Sequence, residues 1–268
     1  TVEGRKIKDM TKKKTAAVIS ISSIKAACKD CSLRHLCLPL GLESADIASL
    51  DEIIKRRRPL KRGEYLYRMG DPLRVIYAIR SGTFKSSELL SDGRIQLTGF
   101  HLPGELLGVD AIGTDIHPCN AEALDDSEVC EIPFSQLEAL ARAIPGLQHQ
   151  FLRLMSNEIA REQGMLIMIG KMPAEERLAT CLLNFSQRQE ALGYSPVHLR
   201  LPMSRQDIGD YLGLALETVS RLFSRFQDDG LITVHGKQVD LNDIDALKGK
   251  LGYSAVPVPL QTEGWGNS

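Results

Sequence analysis

The chain has 268 residues, enough for two modest domains, each with a core of its own. Hydrophobic residues make up 43% and charged residues 25%, a balance that excludes a disordered or membrane-embedded polypeptide. The formal net charge is −1, so any nucleic-acid binding has to come from a local patch or from specific contacts.

Residues 1–27 carry Arg5, Lys6, Lys8, Lys12, Lys13 and Lys14 with little helical or strand period, and they read as a flexible, solvated tail. They lack the apolar stretch and small-residue cleavage site of a signal peptide. The best apolar run, residues 165–169, is far short of the about 18 residues a membrane span needs. A cytoplasmic protein with no membrane partner is expected. In a reducing compartment six cysteines point to metal or redox chemistry rather than to disulfides.

Cys28, Cys31 and Cys37 place three thiols within ten residues. A CxxC turn brings two thiolates to one centre, and a third can close a cap around a cluster edge or a zinc ion. The spacing leaves the metal open. A fourth ligand has to come from elsewhere. Cys181 sits among leucines and reads as core, whereas Cys119, in an exposed-looking loop, and Cys130, in an apparent strand, rank as near equals. His35 and His117 keep a mixed cysteine–histidine zinc site open.

After the cysteines, Ile47, Leu50, Ile53 and Ile54 recur at helical spacing, with Ser44 as the expected N-cap. The run KRRRPLKR at 55–62 reads as a solvated turn. From 64 to 133 short apolar stretches at 75–79, 83–90, 95–101 and 128–132 alternate with turn signals, the texture of an antiparallel sandwich or roll. The N-terminal sensory unit, cysteine cap plus roll, is placed at 28–144.

A helix is expected over 145–170. Leu152, Met155, Ile159, Glu162, Leu166 and Ile169 fall at alternating spacings of three and four, a coiled-coil seam with Glu162 in one apolar position. This predicts a dimerisation helix and a homodimer. Pro173 then breaks the helix and opens a C-terminal unit at 171–250, beginning with an amphipathic helix at 174–189. Within it, Ser204 and Asp207 form a capping-box-like helix start, and Gly213 permits a left-handed turn. A second helix begins at Glu217, with Val219, Leu222, Phe223 and Phe226 inward. Its outer face carries Glu217, Ser220, Arg221 and Arg225, with Thr218 alongside. Arginine can bond guanine bidentately and glutamate can accept from cytosine, so this face can read base edges in double-stranded DNA. Residues 231–241, with Gly236 and Lys237 at the tip, read as a β-hairpin wing. The C-terminal unit holds ten Lys/Arg against eleven Asp/Glu, so shape and specific contacts rather than net charge carry the argument. Residues 251–268 read as a flexible tail. The fold class expected is α+β: an antiparallel β-roll of jelly-roll type, a long helix, and a winged helix-turn-helix.

In this order the parts resemble the fumarate-and-nitrate-reduction regulator (FNR) group of the cyclic-AMP-receptor (CRP/FNR) superfamily. The resemblance spans about residues 28–241. It is carried by the stretches CKDCSLRHLC, Ile79-Arg-Ser-Gly82, Thr98-Gly-Phe-His101, Val129-Cys-Glu-Ile-Pro-Phe134, Arg153-Leu-Met-Ser156 and Glu217-Thr-Val-Ser-Arg221. It implies a [4Fe–4S] cluster, converted to [2Fe–2S] by oxygen, with Cys130 as fourth ligand beside Cys28, Cys31 and Cys37. It further implies an activator in which Glu217, Ser220 and Arg221 read a TTGAT-type half-site, and in which the loop at 91–94 contacts RNA polymerase. Nucleotide-binding members follow a Gly-Glu pair with an Arg-Ser for the cyclic phosphate. Here Gly104-Glu105 is present, but no arginine lies between Arg94 and Arg142, so no cyclic-nucleotide response is expected. A zinc- or thiol-based regulator is the alternative. A redox enzyme is remote, because the chain has no Gly-rich nucleotide fingerprint and no nucleophile elbow.

Overall fold

The computed structural model describes residues 28–54 and 56–251, and both expected terminal tails fall outside them except for Leu251. Eight strands build the N-terminal roll: β1 Arg56–Leu60, β2 Tyr65–Tyr67, β3 Val75–Ser81, β4 Phe84–Leu89, β5 Ile95–His101, β6 Leu106–Leu107, β7 Asn120–Ala123 and β8 Ser127–Pro133. They form two four-stranded antiparallel sheets, ordered β1-β8-β3-β6 and β2-β7-β4-β5. The period-2 alternation of strands sorts side chains into two cores. On β3 and β8, Ile79 and Val129 point into the roll. Ile76, Ala78 and Ile132 point out towards α1 (Ser44–Ile53), α2 (Phe134–Ala143) and the cysteine segment.

Two local expectations are corrected. The basic run at 55–62 is not a turn but contains β1, which pairs with β8 and buries Leu60. Being at the sheet edge, it tolerates Pro59, and its basic sequence hides it in a composition reading. Ser44 is the first residue of α1 rather than its cap; Glu43 holds that position, with no side-chain cap bond.

Helix α3 runs Pro145–Lys171 and spans the molecule. Leu147, Phe151 and Leu154 pack on the core beside the cysteine segment. Met165 and Met168 pack on a second core with the C-terminal unit. That unit contains α4 (Ala174–Ala191), β9 (His198–Arg200), α5 (Arg205–Leu212), α6 (Leu216–Asp228), β10 (Ile232–His235), β11 (Gln238–Leu241) and α7 (Ile244–Gly249). The second core also takes in Leu97, Phe100 and Leu102 from the roll, so the C-terminal unit is seated directly on β5. Lys85 to Asp207 (2.9 Å), Gln96 to the Asp210 carbonyl (2.8 Å) and Arg200 to Asp125 (2.5 Å) fasten the same contact.

Candidate metal and DNA-binding sites

The cysteine segment is a succession of tight turns, with Cys31 N–H donating to the Cys28 carbonyl and Cys37 N–H to that of Leu33, both at 3.1 Å. Buried Leu33 and Leu38 anchor it. Cys28 is tied to α1 by its N–H to Asp51 Oδ1 at 2.5 Å. Cys37 is tied to α3, because the buried Gln150 donates Nε2 to its carbonyl at 3.0 Å and accepts from Arg153 at 3.0 Å. All six cysteines are reduced thiols.

Cys28, Cys31, Cys37 and Cys130 line one pocket, otherwise walled mainly by Leu33, Leu38, Leu50, Ile54, Ala78 and Ile132. Cys130 reaches it because β8 alternates outward at that residue, opposite the small side chain of Ala78. Burial pushes the Cys28 thiol far up, with Asp51 and then Cys37 and Cys130 adding to it. Burial pushes Cys37 up to about 12, against the Leu38 backbone N–H and with Cys130 and Cys31 reinforcing. Burial in the apolar wall and the neighbouring thiols resist the ionisation of Cys28 and Cys37, and a cationic occupant bound by them as thiolates would displace their protons. Among the described residues, no group of three or more Cys, His, Asp or Glu side chains is arranged for a single metal ion.

The other candidates lie elsewhere. Cys119 is buried rather than exposed, on the inner core of the roll, donating Sγ–H to Asp110 at 3.2 Å. Its position after a proline gave no sign that the residue just before β7 packs inward. Cys181 is core on α4. His35 shares a hydrogen bond with the Ala191 carbonyl at 3.2 Å, and His117 stacks on Tyr67 with ring centroids 3.7 Å apart, so neither histidine joins the thiol pocket.

The helix-turn-helix is α5 and α6. Ser204 Oγ accepts from the Asp207 N–H at 3.0 Å and Asp207 Oδ2 from the Ser204 N–H at 2.8 Å, a complete capping box. Gly213 takes a left-handed φ of 64°, and a Cβ on Gly209 would fall 2.6 Å from the Leu214 carbonyl oxygen, so the turn requires both glycines. On α6, Val219, Phe223 and Phe226 are buried while Glu217, Ser220, Arg221 and Arg225 are exposed and Thr218 is half-buried. Arg225 pairs with Glu175 of α4 at 3.0 Å, and Arg205 lies 3.2 Å over the Phe223 ring. The hairpin β10–β11 follows as the expected wing.

Residues 176–249 match the family described as Crp-like helix-turn-helix domain, and residues 57–143 match the cyclic nucleotide-binding domain. The transcriptional activator protein Anr of Pseudomonas aeruginosa is 52% identical over 218 residues, covering 81% of this chain and 89% of the relative. The chain belongs to the CRP/FNR family of transcription regulators. The fumarate and nitrate reduction regulatory protein of Escherichia coli is 47% identical over 227 residues, covering 85% of this chain and 91% of the relative. Among solved structures, FixK2 from Bradyrhizobium japonicum superposes with a TM-score of 0.69 at 32% identity, over 74% of this chain and 98% of that one. The protein is thus a DNA-binding regulator with the family fold and not an enzyme.

Along α3, the seam residues Leu152, Ile159 and Leu166 are 56%, 53% and 73% exposed, large apolar side chains turned away from their own protomer's core. Glu162 is exposed among them, while Met155 and Ile169 are half-buried. Ile167, at 53%, widens this face beyond the heptad positions read from the sequence.

Proposed function

We propose that this CRP/FNR regulator responds to oxygen through a [4Fe–4S] cluster held by Cys28, Cys31, Cys37 and Cys130, and that the cluster promotes dimerisation and operator binding. The observation that carries this reading is the convergence of these four thiols, three from one segment and one from β8, on a single apolar pocket. The cluster would supply iron–sulfide bonds that oxygen attacks, leaving a [2Fe–2S] form. The chain's own part is mechanical. The segment that carries Cys37 is bonded to Gln150, and Gln150 and Arg153 stand on the same helix as the seam. Ordering the segment therefore favours one placement of α3, whose face of Leu152, Met155, Ile159, Leu166 and Ile169 pairs with that of a second copy. Glu162 opposes its symmetry mate there and keeps the dimer marginal, so that a modest free energy shifts it.

The dimer presents two α6 helices, Glu217, Ser220 and Arg221 reading each half of a TTGAT-type palindrome, with Thr218 and Arg225 at the margins. Cyclic nucleotides are not ligands in this reading, because Glu105 is already engaged by Arg161 and Arg188 and the sequence has no arginine between Arg94 and Arg142 to hold a cyclic phosphate. The β4–β5 turn at 91–94 is exposed for an RNA polymerase contact. No helix among the described residues is long and apolar enough to cross a membrane, in keeping with a cytoplasmic regulator. The test is anaerobic purification with a visible spectrum recorded before and after air. A broad iron–sulfur band that bleaches on exposure is expected. A colourless, zinc-loaded protein that binds its operator equally well in air would replace this reading with a zinc-based regulator.

A further inference from the structure

Glu105 stands between β5 and β6, in a pocket lined by His35 and Leu36 of the cysteine segment and by residues of α3 and α4. Its carboxylate accepts from Arg161 Nη1 at 2.8 Å, from Arg188 Nη2 at 2.8 Å and Nε at 3.0 Å, and from the Leu102 N–H at 3.0 Å. Burial alone would raise this carboxyl, but Arg161 and then Arg188 outweigh it and hold it at about 2. Arg161 belongs to α3 and Arg188 to α4, so one buried carboxylate joins the roll, the long helix and the DNA-binding unit. Arg188, with its side chain 6% exposed, donates a further N–H to the Phe100 carbonyl at 2.6 Å. Such an arrangement demands fixed geometry, because Arg188 without Glu105 would be an uncompensated buried charge.

The same turn touches the cysteine segment. A Cβ on Gly104 would lie 2.9 Å from Leu36 Cβ, and Leu36 immediately precedes Cys37. Next to it, His35 bonds the carbonyl of Ala191, the last residue of α4.

We infer that Leu36, Gly104, Glu105 and Arg188 form a second coupling route, which carries the state of the cysteine segment to the DNA-binding unit within one protomer and bypasses the dimer seam. That the segment changes state with the cluster rests on the function proposed above; the latch from Glu105 to α4 does not. The route is a chain of packed and ion-paired groups with a definite closed arrangement, the physical form coupling requires. It gives oxygen two points of action, the pairing of α3 and the seat of α4.

The test uses the full chain, reconstituted with iron and sulfide without oxygen, as wild type, Glu105→Gln, Arg188→Gln and the double variant. Each single variant is expected to keep the visible band and the dimer fraction in sedimentation, to bind operator DNA roughly tenfold more weakly, and to show faster amide exchange across α4. The double variant should be no weaker than the weaker single one, because both act through one contact. Unchanged operator affinity, affinity loss in step with dimer loss, or additive losses would each overturn the route. Should Glu105→Gln not fold, Arg188→Gln carries the same expectations. If the wild type takes up no cluster, the oxygen reading fails, while unchanged α4 exchange in metal-free Arg188→Gln would separately defeat the latch.

Discussion

The helix-turn-helix and the cysteine segment are built on opposite terms. The reader takes its shape mainly from packing within the C-terminal unit, which is seated on β5: Val219, Phe223 and Phe226 are buried, Ser204 caps α5, and Gly213 closes the turn. The cysteine segment has a three-residue 3₁₀ turn and a series of single-turn bonds in place of a helix; its three thiols share an apolar pocket with Cys130 of β8, and burial there resists the ionisation of Cys28 and Cys37. The difference separates what is fixed from what is regulated. The reading surface is made once, by packing, and its placement is the quantity a sensor can change. Under the proposed function the sensor segment would gain binding energy from an added cationic group, so its order would follow the presence of that group.

The sharpest way to break this contrast is Cys130→Ser. It should abolish iron uptake and the visible band, whereas Cys119→Ser, altering a thiol on the other face of the sheet, should leave both intact; iron analysis and absorption decide it. Equal effects from the two would remove the pocket's special standing. Phe226→Ala should cost about 3–5 kcal/mol in denaturant unfolding, the range for a buried phenylalanine, and leave iron per protein unchanged. Loss of iron with it would show that the two regions are not separately built. Arg221→Ala should weaken operator binding by about 1–3 kcal/mol and relax discrimination at one base pair, with melting temperature unmoved; a uniform loss across sequences would demote it to a phosphate contact.

A further contrast concerns acid. Burial, then Arg161, lowers His101 from its ordinary 6.5 to about 3, with Arg188 acting in the same sense and Glu105 opposing. The unfolded chain takes up this proton where the folded chain does not, so stability falls as pH drops from 6.5 towards 3, by up to about 1.4 kcal/mol per unit. His117, lowered by burial, adds to the slope. Glu105, held at about 2 against 4.5, contributes only below 4.5. Urea unfolding between pH 6.5 and 5 isolates the histidines, and His101→Gln should flatten part of that slope. An unaltered slope would place the titrating group elsewhere.

The parts legible in the sequence are those whose rules are local. The capping box, the left-handed glycine and the 3.6-residue period of α6 each act within a few positions, and turn glycines divide the roll. The exposed apolar residues of α3 were readable from their alternating spacing of three and four, and Ile167 escaped because it falls outside that pattern. The choice between Cys119 and Cys130 was not readable. It depends on which side of the sheet each strand turns, and thus on pairings such as that of Ala78 with Cys130. Glu105 with Arg161 and Arg188 left no trace either, because partners separated by 56 and 83 residues obey no periodicity. Gly209 offered only a small residue in a helix pattern; its need appears once Leu214 folds back on it.

If cluster content sets DNA affinity, stepwise oxygen titration of one anaerobic sample should reveal it. Visible absorbance, dimer fraction and operator occupancy would be read at each step. Occupancy is expected to fall in proportion to absorbance, with dimer fraction falling alongside. Operator occupancy that stays full after the absorbance has bleached would rule out control of DNA binding by the cluster.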